Sequence, residues 1–418
     1  MKFSRNGKFI LPIITAFFLS FVSCSAKNDD KNCTIRFSWW GKKARTEYTL
    51  QGISMFESLN PTIKVQPEYD SWSNYESSIE NALETGTCAD VMQINFDWLY
   101  KYSANENMFY DLNELSDYIE LYNFTLDDLA YGTFNSKLYA IPIAFNTAIP
   151  VYDKKVLDEN SLPIPSTWDE LFSIAKVLKK KDMYVFTVSK RHLFFVTMAW
   201  FEQTYSKKMF KENGKLNISE EETGIIFDFV KRLVQENVVY SINEGFSFPA
   251  LKENKIAGSV LWCNETALFM AESEKIGGKP VLGNFITTPG AKESGWYLKP
   301  ATLYSIKKDC KNPREAAMLV NYLLNSQDFA LLQKNEKGVP TSNKSLTALM
   351  TSRQLESMQY KALMKIRFNR DSINKMIPIM EDNNVIQSFA DCAFSYAKGY
   401  KQKTETAKEF LESVSYCL

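Results

Sequence analysis

Histidine is nearly missing from this sequence: among 418 residues only His192 is present. That excludes a histidine-built metal centre and weighs heavily against a Ser-His-Asp hydrolase. An excess of either charge is missing as well, with 49 Lys and Arg against 49 Asp and Glu. Without a basic face nothing concentrates phosphates, so no nucleic-acid partner is expected. The seven cysteines never fall in a C-x-x-C spacing, which removes the usual zinc and redox motifs. No metal and no cofactor are expected. No apolar run reaches the roughly 20 residues of a membrane-spanning helix, and there is no internal repeat or low-complexity tract. What is present is apolar and aromatic. The chain is 45% hydrophobic and 14% aromatic but only 23% charged, enough apolar surface to offset the entropy of ordering. At roughly 150 residues per domain, its length suits about two to three domains.

Lys2, Arg5 and Lys8 precede an apolar run over residues 9–21 (FILPIITAFFLSF). Its length, about 13 residues, suits the apolar centre of an export signal rather than a span. The run ends in Phe21-Val22-Ser23-Cys24, which resembles a bacterial lipoprotein cleavage site, with Phe21 where leucine is usual. We expect removal of residues 1–23, acylation of Cys24, and a polar tether over 24–32. The body is then extracytoplasmic and held at a bacterial membrane. The alternative is ordinary secretion with Cys24 lost or free.

Beyond the tether, strand and helix patterns alternate. Residues 34–40 are β-rich. Leu50, Ile53, Phe56 and Leu59 recur near helical spacing until Asn60-Pro61. Residues 62–69 are extended, 74–85 are helical up to Gly86, and 90–95 form a third strand. A β-α-β-α-β series predicts an α/β fold with a parallel sheet, whose functional groups gather at the strands' carboxyl ends. In the common 2-1-3 strand order Cys33 and Cys88 precede neighbouring strands, so a disulfide between them is a candidate. Residues 138–146 and 148–152 are two extended pieces that carry the chain into a second lobe. Thr167 to Glu170 and Asn312 to Glu315 read as capping boxes, the latter with Pro313 at the first helical position. Further strands are expected over 183–188, 258–263, 281–287 and 298–306, with mostly helix after Pro340.

Four stretches then carry a resemblance: residues 35–45 (IRFSWWGKKAR), 56–75 (FESLNPTIKVQPEYDSWSNY), 89–99 (ADVMQINFDWL) and 311–342 (KNPREAAMLVNYLLNSQDFALLQKNEKGVPTS). In this order they are similar to the extracytoplasmic solute-binding proteins of bacterial ABC importers, in the carbohydrate-binding group, although that family often has Pro where Ala89 stands. The resemblance implies a two-lobe periplasmic-binding-protein-like fold. The first lobe would comprise residues 33–145 and 288–340, and the second 146–287 and 341–418. It further implies a monomeric, cofactor-free carrier that closes on a carbohydrate like a hinge and docks on ABC permease subunits.

A pyranose has apolar C–H faces and a rim of hydroxyls, so aromatic faces and planar polar side chains are its natural partners. At the strand ends this selects Trp40, Arg45, Trp72, Tyr75 and Asp97 from the first lobe, with Asn146 at the crossing. From the second it selects Trp262, Glu265 and Trp296. Each has a structural alternative: core packing for Trp40, Tyr75 and the neighbouring Trp98, solvation for Arg45, helix capping for Asp97 and Glu265. For Asn146 that alternative is a turn, and for Trp296 a hydrophobic plug. His192 opens an aromatic helical stretch and is read as packing. A second function class stays open at this point. Asp97 and Glu265, if they faced each other at about 5–9.5 Å, could serve a secreted glycoside hydrolase.

Overall fold

The computed structural model describes residues 32–103, 108–243, 248–334, 336–352 and 358–417. The export signal, Cys24 and all but the last residue of the expected tether lie outside the described residues. No helix among the described residues is long and apolar enough to cross a membrane.

The opening series folds as β1 (Cys33–Trp40), α1 (Lys43–Leu59), β2 (Ile63–Asp70), α2 (Trp72–Glu84), β3 (Val91–Ile94) and α3 (Phe96–Ser103). Strand β1 is parallel to β2, from Cys33 opposite Ile63 to Trp40 opposite Asp70, and to β3 on its other side. Strict alternation sends Ile35, Phe37 and Trp39 to one face, where α1 covers them, and Trp40 to the other. Helix α1 stops where Asn60 bonds back to the Phe56 carbonyl and Pro61 follows. After α2, Gly86 takes φ +67°, the left-handed turn its position suggested.

One sheet then runs through the whole molecule. Its order is β2, β1, β3, Tyr297–Ile306, Ala140–Asp153, Ile256–Trp262, Tyr184–Ser189 and Val239–Asn243. The two extended pieces expected before residue 153 are a single strand of 14 buried residues, Ala140–Asp153, roughly 45 Å long at the usual rise. Its first half pairs antiparallel with Tyr297–Ile306 and its second half with Ile256–Trp262, so it belongs to both lobes. Of the stretch expected to be extended over 281–287, only Pro280–Leu282 is a strand.

The first lobe has a core on each sheet face, one around Phe37, Phe56 and Tyr304, the other around Met92, Phe96 and Leu303. In the second lobe Phe186, Phe194, Phe227, Phe389 and Phe410 form the larger, aromatic core, and Val151, Leu251, Ile256 and Leu261 belong to a smaller one. Each of these aromatic rings contributes about 1.5–3 kcal/mol by leaving water.

Three expectations need correction. Cys33 and Cys88 are both free, because Cys33 packs on the core beneath α1 while Cys88 joins the core on the opposite sheet face. At Asn312 the side chain makes no capping bond, although Pro313 does open the helix Pro313–Asn325. Nor does the segment 341–418 go wholly with the second lobe. Helix Asn343–Thr351 packs on Gln327–Gln333 of the first, and Ala362 and Ile366 lie over the crossing strands beside Phe145 and Ile149. The helices Asn383–Ala397 and Lys403–Ser415 do join the second core.

Gly258 sits opposite Tyr152 in this sheet, and a Cβ there would lie 2.1 Å from the Val151 carbonyl and 3.1 Å from the Tyr152 ring. Gly258→Ala should therefore lower stability by about 1–3 kcal/mol, read as an earlier urea midpoint with an unchanged slope.

Candidate ligand-binding site

The carboxyl ends of β1, β2 and β3 present four aromatic side chains. Trp72, the first residue of α2, lies nearly parallel to Trp98 of α3, with centroids 5.6 Å apart and planes at 8°. Trp98 is buried whereas Trp72 is 39% exposed, so one face of Trp72 is backed and the other is open. Trp40 meets Trp72 edge-on at 4.9 Å and is itself buried, so it props the platform from behind. Tyr75 is structural rather than ligand-facing. Its hydroxyl donates to the Gln93 carbonyl at 2.9 Å and lies 2.9 Å from Ser38 Oγ, sealed from water.

Arg45 is committed to the protein's own backbone, donating to the Glu336 carbonyl at 2.7 Å. Asn146 is likewise consumed. Its Nδ2 donates to Asn264 Oδ1 at 3.0 Å, while its own Oδ1 accepts from the Cys263 thiol and the Asn264 N–H. It laces the crossing strand to the turn after Trp262. Trp296 is a plug. It is buried, its Nε1 donates to the Ile286 carbonyl, and its ring rests on Phe285. The tight turn at Gly295, φ +64° with Ala199 pressed against it, drives that ring inward.

In the second lobe, Trp262 ends its strand half-buried, with the edges of His192 and Phe195 against it. The Lys299 ammonium sits 4.8 Å from the ring centroid, a cation on one indole face. Glu265 Oε2 accepts from the Trp262 N–H, which makes it the cap of its own turn. Crowding by the walls raises the Glu265 carboxyl, while the Trp262 N–H and the charges of Lys299, Arg191 and Lys42 oppose that push.

Three charged residues outside the expected set hold the site together. Glu381 is buried between Arg191, whose Nη1 lies 2.9 Å from its Oε1, and the Lys299 ammonium. Burial would raise the Glu381 carboxyl, but the two cations outweigh it and hold it below the usual range. Arg191 also donates to Asn383 at 2.7 Å and feels Asp97 and Glu76 from the first lobe. His192 pairs its Nδ1 with Ser189 Oγ. Burial first, then Arg191 and Lys299, push it down to about 3, so it stays neutral. Sequence separations of 82 and 190 residues concealed this triad. The available signal was Lys299, the one charge inside an otherwise uncharged strand.

Asp97, in the first turn of α3, faces this group. Its Oδ1 is buried without a hydrogen-bond partner. Burial, then repulsion from Glu381, raise it to about 6, with Lys299 opposing. A carboxyl raised on folding takes up its proton more tightly in the folded state, so its ionisation weakens the fold as pH climbs. Between about pH 4 and 6 Asp97→Asn should gain stability relative to the parent chain as pH rises, and the difference should level off above about 6. Paired urea titrations across that window measure it.

A model of the bacterial extracellular solute-binding protein family matches residues 51–361. A periplasmic solute-binding protein from Pectobacterium atrosepticum is similar over 92% of this chain and 98% of its own, at 28% identity and a TM-score of 0.86. A periplasmic oligogalacturonide-binding protein from Yersinia enterocolitica, in complex with saturated digalacturonic acid, is similar over 91% and 97% at 28% identity and a TM-score of 0.80. A family 1 extracellular solute-binding protein from Alicyclobacillus acidocaldarius shares the fold, at 22% identity and a TM-score of 0.72 over 93% and 98%. With two lobes joined through one strand that pairs in both, this chain belongs to the bacterial extracellular solute-binding proteins.

Proposed function

We propose that the protein captures a carbohydrate between its lobes, closes on it by bending at the crossing strands, and delivers it unaltered to the permease of an ABC importer. The observation that carries this reading is Trp72. An indole backed by a second, parallel indole and open on its outer face offers what the apolar side of a sugar ring needs. Polar partners for the hydroxyl rim stand nearby: Asp97 from the first lobe, and Arg191 and Glu265 from the second. The similar Yersinia protein, whose ligand is an acidic disaccharide, supports a saccharide here. Closure is favoured because only the closed form lets both walls touch one ligand. The carrier works as a single chain, tethered through an acylated Cys24.

Hydrolysis would need two free carboxyls flanking a glycosidic bond. Glu265 keeps only Oε1 for a hydroxyl, because Oε2 holds the Trp262 N–H, and Asp97 sits against the Glu381 group, which favours carriage over cleavage.

Calorimetry with a panel of neutral and galacturonide oligosaccharides tests the reading, with chromatography of the recovered sugar as the check on chemistry. Binding of a panel member and its return uncut are expected; products, or silence across the panel, would overturn it. Trp72→Ala should weaken that binding by about 1–3 kcal/mol, roughly 5- to 150-fold in Kd, with little change in melting temperature. Trp262→Ala should weaken it too. A large fall in melting temperature at unchanged affinity would show these rings to be core.

A further inference from the structure

A cavity of about 660 Å³ is lined from both lobes, yet neither the Trp72 and Trp98 rings nor the Glu381 group takes part in it. Its size falls in the ~300–1,000 Å³ usual for small-molecule sites. The first lobe supplies Phe134, from the hairpin in which Thr133–Phe134 pairs with Lys137–Leu138. The second supplies Phe210 and the loop up to Gly214, anchored where the Met209 N–H donates to Glu202 Oε1 at 2.8 Å. Between them runs the segment 375–380, which begins as an edge strand against Tyr297 and Leu298 and ends in the turn Pro378–Glu381. Tyr297 also lines the space, its hydroxyl donating to Glu202 Oε2 at 2.7 Å.

The walls and the rim differ in chemistry. Ile377, Pro378 and Ile379 are three apolar residues in a row, and all three, like Phe134 across the space, are left half-buried. Met376 and Met380 lie beside them, flexible side chains that adapt to a guest's shape. At the rim Lys208, Lys211 and Lys375 face a single acid, Glu212. The neighbouring Lys207 pairs with Glu222, but among the described residues these three lysines pair with no carboxylate. Lys375 donates instead to the Ala130 carbonyl at 3.1 Å. Burial lowers its ammonium's ordinary value while Asp127 opposes, and a carboxylate arriving beside it would act in the same sense as Asp127. Glu202 does not serve the rim: burial raises it to about 7, and both its oxygens are taken by Met209 and Tyr297. Exposed ammoniums need no partner other than water. A half-covered apolar wall beneath them selects a guest with hydrocarbon at one end and negative charge at the other.

We propose that this cavity is a binding site for an amphiphilic carboxylate of the fatty-acid class, with its hydrocarbon along Phe134, Ile377 and Ile379 and its head group among Lys208, Lys211 and Lys375. The site stands apart from the carbohydrate reading and keeps its argument if that reading fails.

Calorimetry of the mature chain with dodecanoate, kept below its micelle-forming concentration, tests the binding. Dodecyl alcohol and acetate separate the contributions of charge and hydrocarbon. Saturable binding of one dodecanoate is expected, several-fold weaker binding of the alcohol, and none of acetate. Lys208→Glu combined with Lys211→Glu changes two exposed side chains, so folding is retained, and should weaken dodecanoate several-fold while leaving the alcohol unaffected. Ile379→Asp should abolish both. Should that variant not fold, the lysine pair still decides the matter. Dodecanoate brominated at its far end should give an anomalous peak beside Ile377 and Ile379 in crystals. Absence of binding, an alcohol bound as tightly as the acid, an affinity indifferent to the lysine exchange, or bromine found elsewhere would each overturn the proposal.

Discussion

The structure depends on one long strand that changes owner midway. Ala140–Asp153 pairs with Tyr297–Ile306 in its first half and with Ile256–Trp262 in its second, and every one of its residues is buried. A backbone cannot leave such a ladder without orphaning its N–H and C=O groups, so the crossing is fixed and motion is confined to bending along it. Asn146, halfway along, shows the same economy: its amide is spent on Asn264 and Cys263, locking the turn that delivers Trp262.

Charge is handled differently on the two sides of the cleft. The first wall is mainly aromatic, with Trp72 lying on Trp98 and Trp40 behind both. The second wall is built on a buried carboxylate, Glu381, shared by two cations. Such a group is a poor source of net stability, because desolvating three charges offsets most of their attraction. Its value lies in geometry. Glu381 and Asn383 orient the Arg191 guanidinium, while the Trp262 face and Glu381 together fix the Lys299 ammonium. Cations so held need not be ordered again when a ligand arrives.

Much of this was legible in the sequence, and the reason is local. Asn60-Pro61 ended α1, and Thr167 with Glu170 formed the capping box their spacing implied. The exposure of Trp72 was legible, because a large indole among serines and aspartate has no core to enter. Tyr75, Asn146 and Trp296 were read as ligand contacts because their positions at strand ends and crossings are right. Only side-chain direction, set by partners far off in sequence, shows each one satisfied within the protein. The cysteine pairing failed for a kindred reason. Cys33 begins β1 on the face beneath α1, whereas Cys88 lies in the turn ahead of β3 and packs on the opposite face.

The same weaving has a bearing on synthesis and export. Strand Tyr297–Ile306 completes the first lobe's sheet from a position late in the chain, and Glu381 comes later still, just ahead of the helices that seal the second core. Neither lobe can finish as its own segment emerges, since each waits for residues delivered after the other has begun. A nascent chain can expose Trp72 early, yet Arg191 and Lys299 acquire their counter-charge only when the last tenth of the polypeptide arrives. The buried charge group is thus among the last features the fold completes.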